Sequence, residues 1–190
     1  MADFLAGRTN GAIAHFVIDG ANEQRIAHDT GGQARGFARA GARLVLSGRR
    51  EEALAEVAGH CQTETLLLPF EATDLGALPG ITTRAEKLTG GIDILVNNAG
   101  ISQRSLALDT DFEVYRRLME VDFFAPLRLS QLVLPAMVKR ESGALVNIAS
   151  VAGKIGSPLR SGYCAANTPW LAGPTRCAPK LPNMACRCSW

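Results

Sequence analysis

Short apolar runs alternate with longer amphipathic stretches from residue 35 to about residue 166, and this alternation sets the expected architecture. Leu44-Val45-Leu46 begins just after Gly41-Ala42 and stops at Ser47-Gly48, the form of a strand buried on both faces. Residues 51–58 are rich in helix formers, with Leu54 and Val57 three apart on one side. Leu66-Leu67-Leu68, closed by Pro69, reads as a second strand, and residues 81–88 as a helix ending at Gly90-Gly91. Residues 92–96 and 144–149 read as the third and fourth strands. Between them, residues 112–140 carry a helical period, entered through Asp109, Thr110 or Asp111 as cap. Leu118, Val121, Phe124, Leu127 and Leu132 form its expected buried stripe, and Pro126 and Pro135 should kink or divide it. Strands and helices alternating in this way predict an α/β fold with a doubly wound parallel sheet.

The two ends are less regular. Residues 11–18 predict a first strand and residues 36–40 the end of a helix behind it, whereas residues 22–33 are polar and without period. Past Ala166, prolines at 169, 174, 179 and 182 recur too often for a regular helix. The expected organisation is one partial nucleotide-binding domain over residues 1–166 and an irregular tail over residues 167–190.

Composition narrows the function. A chain of 190 residues, 47% hydrophobic, can bury one sizeable core but not two. Net charge is +2 and no basic run is present, which argues against nucleic acid as a partner. The first residues include an early acid and no long apolar core, unlike a secretory signal, and no apolar run reads as long enough to span a membrane. A cytoplasmic chain without a membrane partner is the expectation. Five cysteines, an odd number, do not suggest a disulfide framework. Cys186-x-Cys188 lacks the spacing and the neighbouring histidines of a zinc site, so no metal is expected.

Asn97, Asn98, Ala99 and Gly100 follow a predicted central strand, at the end where open α/β sheets bind ligands. Ser150 closes the next strand, and Tyr163 stands thirteen residues after it. Together these residues resemble the active-site half of the short-chain dehydrogenase/reductase family, over roughly residues 35–166. The resemblance implies a Rossmann-like sheet, incomplete here because the family's last two strands and substrate segment are missing. It also implies hydride transfer between NADP(H) and an alcohol or ketone, with Tyr163 exchanging the proton and Ser150 holding the substrate oxygen. A phenol ionises near pH 10, and bringing that to neutrality requires roughly 4 kcal/mol of differential stabilisation. The family obtains it from a lysine four residues after the tyrosine, where this chain has Asn167, which carries no charge. Asp122 stands where relatives carry an asparagine linked to that lysine through water. Its alternative reading is a solvated helix carboxylate.

Cofactor candidates follow from the same resemblance. Gly20 opens the expected phosphate turn, but Asp19 replaces a threonine and residues 22–29 contain no glycine, so Gly31 and Gly32 come too late. After the second strand, Ser47 and Arg49 occupy the ribose-binding region with no acid among them. Arg49 suits a 2′-phosphate and favours NADP over NAD, unless Arg49 and Arg50 simply begin a solvated helix. Glu71 and Ala72 resemble the adenine-contact segment, and in the family the residues at the place of 97–100 support the sheet and border the cofactor. Relatives often form homo-oligomers. Against turnover stands a second reading, a catalytically inactive remnant. The codons AAC ACG CCG TGG CTG GC can encode residues 167–172, and one added A turns them into Lys-His-Ala-Val-Ala-Gly, with lysine in the missing place.

Overall fold

The computed structural model describes residues 11–17, 31–172 and 183–189. Its strands are β1 (Ile13–Val17), β2 (Arg43–Gly48), β3 (Thr65–Pro69), β4 (Ile94–Asn97), β5 (Ser142–Ile148) and β6 (Asn183–Ser189). The helices are α1 (Gly31–Arg39), α2 (Glu51–Gly59), α3 (Leu78–Thr89), α4 (Phe112–Met119), α5 (Ala125–Lys139), α6 (Ser161–Asn167) and α7 (Pro169–Ala172). All strand pairings are parallel, in the order β3-β2-β1-β4-β5-β6. The order reverses between β1 and β4, which opens a crevice at their carboxyl ends.

Successive strand residues point to opposite faces, and here both faces are buried. Leu44, Leu46, Ile94, Val96, Ala144 and Val146 join Phe37 and Leu54 on one side. Val45, Leu95 and Leu145 face the other way, against Leu129, Val133 and Met137 of α5. That is why these strands read as unbroken apolar runs rather than as alternating ones.

The long helix is interrupted by a π-helical turn at Glu120–Phe124, between α4 and α5. Its start is capped by Asp111, whose carboxylate accepts from the Glu113 N–H at 3.2 Å. Leu118 and Val121 are buried as expected, but Phe124 is 41% exposed and the stripe continues through Ala125, Leu129, Val133 and Met137. The π turn accounts for the correction, because its wider winding rotates every later residue about the axis. Pro126 lies in the first turn of α5, where its missing N–H is tolerated, and Pro135 lies inside α5. The continuous helical segment Phe112–Lys139 is long and apolar enough to cross a membrane by length and composition, contrary to the sequence expectation. Leu129, Val133 and Met137 on its inner side pack against the sheet.

The tail needs a second correction. Residues 183–189 form β6, in register with β5 from Ser142↔Asn183 to Ile148↔Ser189, where an irregular segment was expected. The prolines that argued against order stop at Pro182, and Met184, Ala185, Cys186 and Cys188 are apolar or small. Pro169 opens α7, a position that needs no N–H. Trp170 is buried, and its indole Nε1 donates to the Asp122 carbonyl at 2.9 Å. Pro126, four residues after Asp122, has no N–H to offer that carbonyl, so the indole takes its place.

Candidate active site

Ser150 and Tyr163 lie on two short segments that follow β5. Ser150 caps a 3₁₀ turn at Val151–Gly153, its Oγ accepting from the Ala152 N–H at 3.2 Å. Tyr163 is the third residue of α6. The segments are pressed together at Gly153, where a Cβ would come within 2.8 Å of the Asn167 carbonyl oxygen. Gly162 allows α6 an equally close approach to α4, since a Cβ there would lie 2.7 Å from the Tyr115 ring and 2.8 Å from a Leu118 methyl. Tyr115 Oη and Ser161 Oγ share a hydrogen bond of 3.1 Å across the same contact.

Asn167 is buried, and its Nδ2 donates to the Tyr163 carbonyl at 3.0 Å. Asp122, in the π turn, is only 6% exposed, so the solvated reading fails. Its Oδ1 accepts from the Ile101 N–H at 2.8 Å, and its Oδ2 has no hydrogen-bond partner among the described residues. Burial pushes the Asp122 carboxyl up to about 7, opposed by the Ile101 N–H and the neighbouring Asn167 side chain. Asp122 and Asn167 therefore share one corner of the site. The Arg160 guanidinium lies 5.9 Å from the Tyr163 ring centroid and donates to Ser102 Oγ at 3.4 Å.

Gln103 stands out in no pattern of the sequence. It is buried in the loop after β4, and its Oε1 accepts from the Tyr163 N–H at 3.2 Å. Its polar surroundings, Ser102, Arg104 and Ser105, read as an ordinary loop.

The cofactor candidates divide. Gly20 and the turn around it lie outside the described residues. Ser47 is corrected: its hydroxyl points into the core and hydrogen-bonds His15 Nε2 at 2.8 Å, so it is not offered to a ligand. The reason is strand parity, which places Ser47 on an inner face. Asn97 is likewise internal, donating to Asn147 Oδ1 at 2.7 Å and to Ser130 Oγ at 3.3 Å, and so ties β4 to β5. Ala72 and Ala99 are buried. Arg49 and Glu71 form an ion pair of 3.8 Å beyond the ends of β2 and β3, both partly open to solvent. Asn98 and Gly100 follow β4, and Gly100 lies against the Asp122 carboxyl.

A family model described as short chain dehydrogenase matches residues 30–168. The chain belongs to this family. Dehydrogenase/reductase SDR family member 7B of Bos taurus is 43% identical over 141 residues, covering 70% of this chain and 43% of that protein. Dehydrogenase/reductase SDR family member 7 of Homo sapiens is 42% identical over 132 residues, covering 66% of this chain and 39% of that protein. The chain thus spans less than half the length of these relatives. Among solved structures, a short-chain dehydrogenase from Streptomyces avermitilis superposes with a TM-score of 0.80 at 24% identity, covering 92% of this chain and 63% of that one. An NAD+-bound xylitol dehydrogenase superposes at 0.82 and 22% identity, covering 95% and 70%. At that identity the two share the fold.

The family binds NAD or NADP. The described residues suit such a dinucleotide along the ends of β2, β3 and β4, where Arg49 and Glu71 are partly open and Asn98 and Gly100 follow β4. They do not suit its nicotinamide-ribose end as the family builds it. A buried neutral carboxamide stands in place of the ammonium, with an acidic side chain beside it.

Proposed function

We propose that this scaffold serves an NADP(H)-dependent oxidoreductase acting on an alcohol or ketone. The observation that carries the reading is the meeting of the Ser150 turn with the Tyr163 helix at the carboxyl end of the parallel sheet. Tyr163 Oη would give or take the proton at a substrate oxygen, and Ser150 Oγ would hold that oxygen. Arg49 supports NADP over NAD, as a guanidinium beyond β2 suited to a 2′-phosphate.

A second reading, a chain with little or no turnover, is favoured by Asn167. Its amide is committed to the Tyr163 carbonyl and supplies no positive charge. Fluorescence titration with NADPH, paired with turnover on a panel of ketones, separates the two. Binding with turnover that Tyr163→Phe abolishes supports the first reading. NADPH binding without turnover supports the second.

A further inference from the structure

We propose that Gln103 is the positioning residue for Tyr163: its carboxamide oxygen caps the first turn of α6 from another part of the chain and so fixes where the tyrosine stands. The inference rests on the assignment of Tyr163 to the proton step. Three observations carry it. The first turn of a helix leaves N–H groups without internal partners, and the residue preceding α6, Arg160, makes no side-chain cap. The Tyr163 N–H instead meets Gln103 Oε1 at 3.2 Å across sixty residues of chain, and Gln103 is only 8% exposed. Because the tyrosine side of this contact is a donor, the carboxamide must present its oxygen, which fixes its orientation. Finally, Ser105 N–H donates to the Leu159 carbonyl at 3.0 Å, so the whole loop after β4 is laced to the segment that leads into Tyr163.

A loop that borders the crevice thereby holds the helix that carries the candidate acid. A local serine or aspartate cap would satisfy the helix equally well, yet it would not link Tyr163 to the end of β4. Gln103 makes that link, so Tyr163 and residues 97–100 are held as one unit.

The test uses the full chain labelled uniformly with ¹⁵N for the amides and, in a second sample, with ¹⁵N,ζ-¹³C-tyrosine. Only two tyrosines are present, so Tyr115→Phe assigns both signals. Gln103→Met keeps the length and removes the acceptor, while Gln103→Glu keeps an acceptor oxygen. We expect the Tyr163 amide to exchange at least tenfold faster in Gln103→Met, with its ring carbon signal displaced. In Gln103→Glu both should return towards the wild-type values. Unchanged exchange in Gln103→Met overturns the proposal. So does an equal disturbance in Gln103→Glu, or an equal acceleration of the core amide of Leu129, which would mean a global effect. Should Gln103→Met fail to fold, the wild type still decides: its Tyr163 amide must be protected while those of Ser161 and Gly162, in the same first turn, exchange freely. Equal exposure of all three overturns the cap. None of these readouts needs cofactor or turnover. A confirmed cap with no NADPH binding and no turnover would overturn the oxidoreductase reading alone.

Discussion

Replacing Asp122 with asparagine should stabilise the fold at pH 8 and leave it almost unchanged at pH 4. The carboxyl is raised from 3.8 to about 7 by burial, so the folded state keeps its proton over a range where the unfolded chain has lost it. Stability from this group is full below pH 3.8, falls as pH rises towards 7, and is flat above it. The difference corresponds to about 4 kcal/mol at pH 8, an upper bound for Asp122→Asn. His15 acts in the opposite sense. It is fully buried in the sheet, and burial lowers it from 6.5 to about 4. Its neutral ring is compatible with the fold above pH 6.5, and stability falls as pH drops from there to about 4, by about 3 kcal/mol. Between pH 4 and 6.5 the two contributions oppose each other. The wild type should therefore show a shallow profile there, and Asp122→Asn should expose the steep acid loss due to His15. Urea unfolding between pH 4 and 8 measures this. A variant no more stable than wild type at pH 8, or one with no acid slope below pH 6.5, would show that Asp122 and His15 do not oppose each other in this way.

Three further outcomes are expected. Gly162→Ala forces a Cβ into Tyr115 and Leu118 and should cost about 1–3 kcal/mol in urea unfolding, while also displacing the Tyr163 ring carbon signal. Trp170→Ala removes a buried indole from Phe123 and from the Asp122 carbonyl, and should cost about 3–5 kcal/mol by the same measurement. Arg49→Ala should weaken NADPH binding about tenfold in fluorescence titration, from ~1.5 kcal/mol for one charge-assisted contact, and leave NADH binding nearly unaltered.

The sheet was legible because both of its faces are covered. Leu44-Val45-Leu46 and Leu66-Leu67-Leu68 have no polar face to confuse the period, and the structure extends each by only one or two residues at either end. The long helix was legible in extent but not in phase, because a π turn at Glu120–Phe124 leaves no mark in composition. Ser150, Tyr163 and Asn167 could be singled out only through the resemblance to the family, which their spacing carries together with residues 97–100. Ser47 could not be placed, since only strand parity tells whether a polar side chain faces the crevice or the core. Gln103 was invisible for a different reason: its partner is sixty residues away and is a backbone N–H, which no side-chain pattern reports. β6 was missed because prolines at 174, 179 and 182 obscured the proline-free run that follows them.

The most direct test of the account is ketone-dependent NADPH oxidation by three proteins: wild type, Asp122→Asn/Asn167→Lys, and that double variant with Tyr163→Phe added. The Asp122 change removes the carboxyl that would otherwise pair with the new ammonium. Turnover should be at least tenfold higher in the double variant than in the wild type, and should vanish when Tyr163 is removed. A double variant that binds NADPH but turns over no faster than wild type, or turnover that survives Tyr163→Phe, would contradict it.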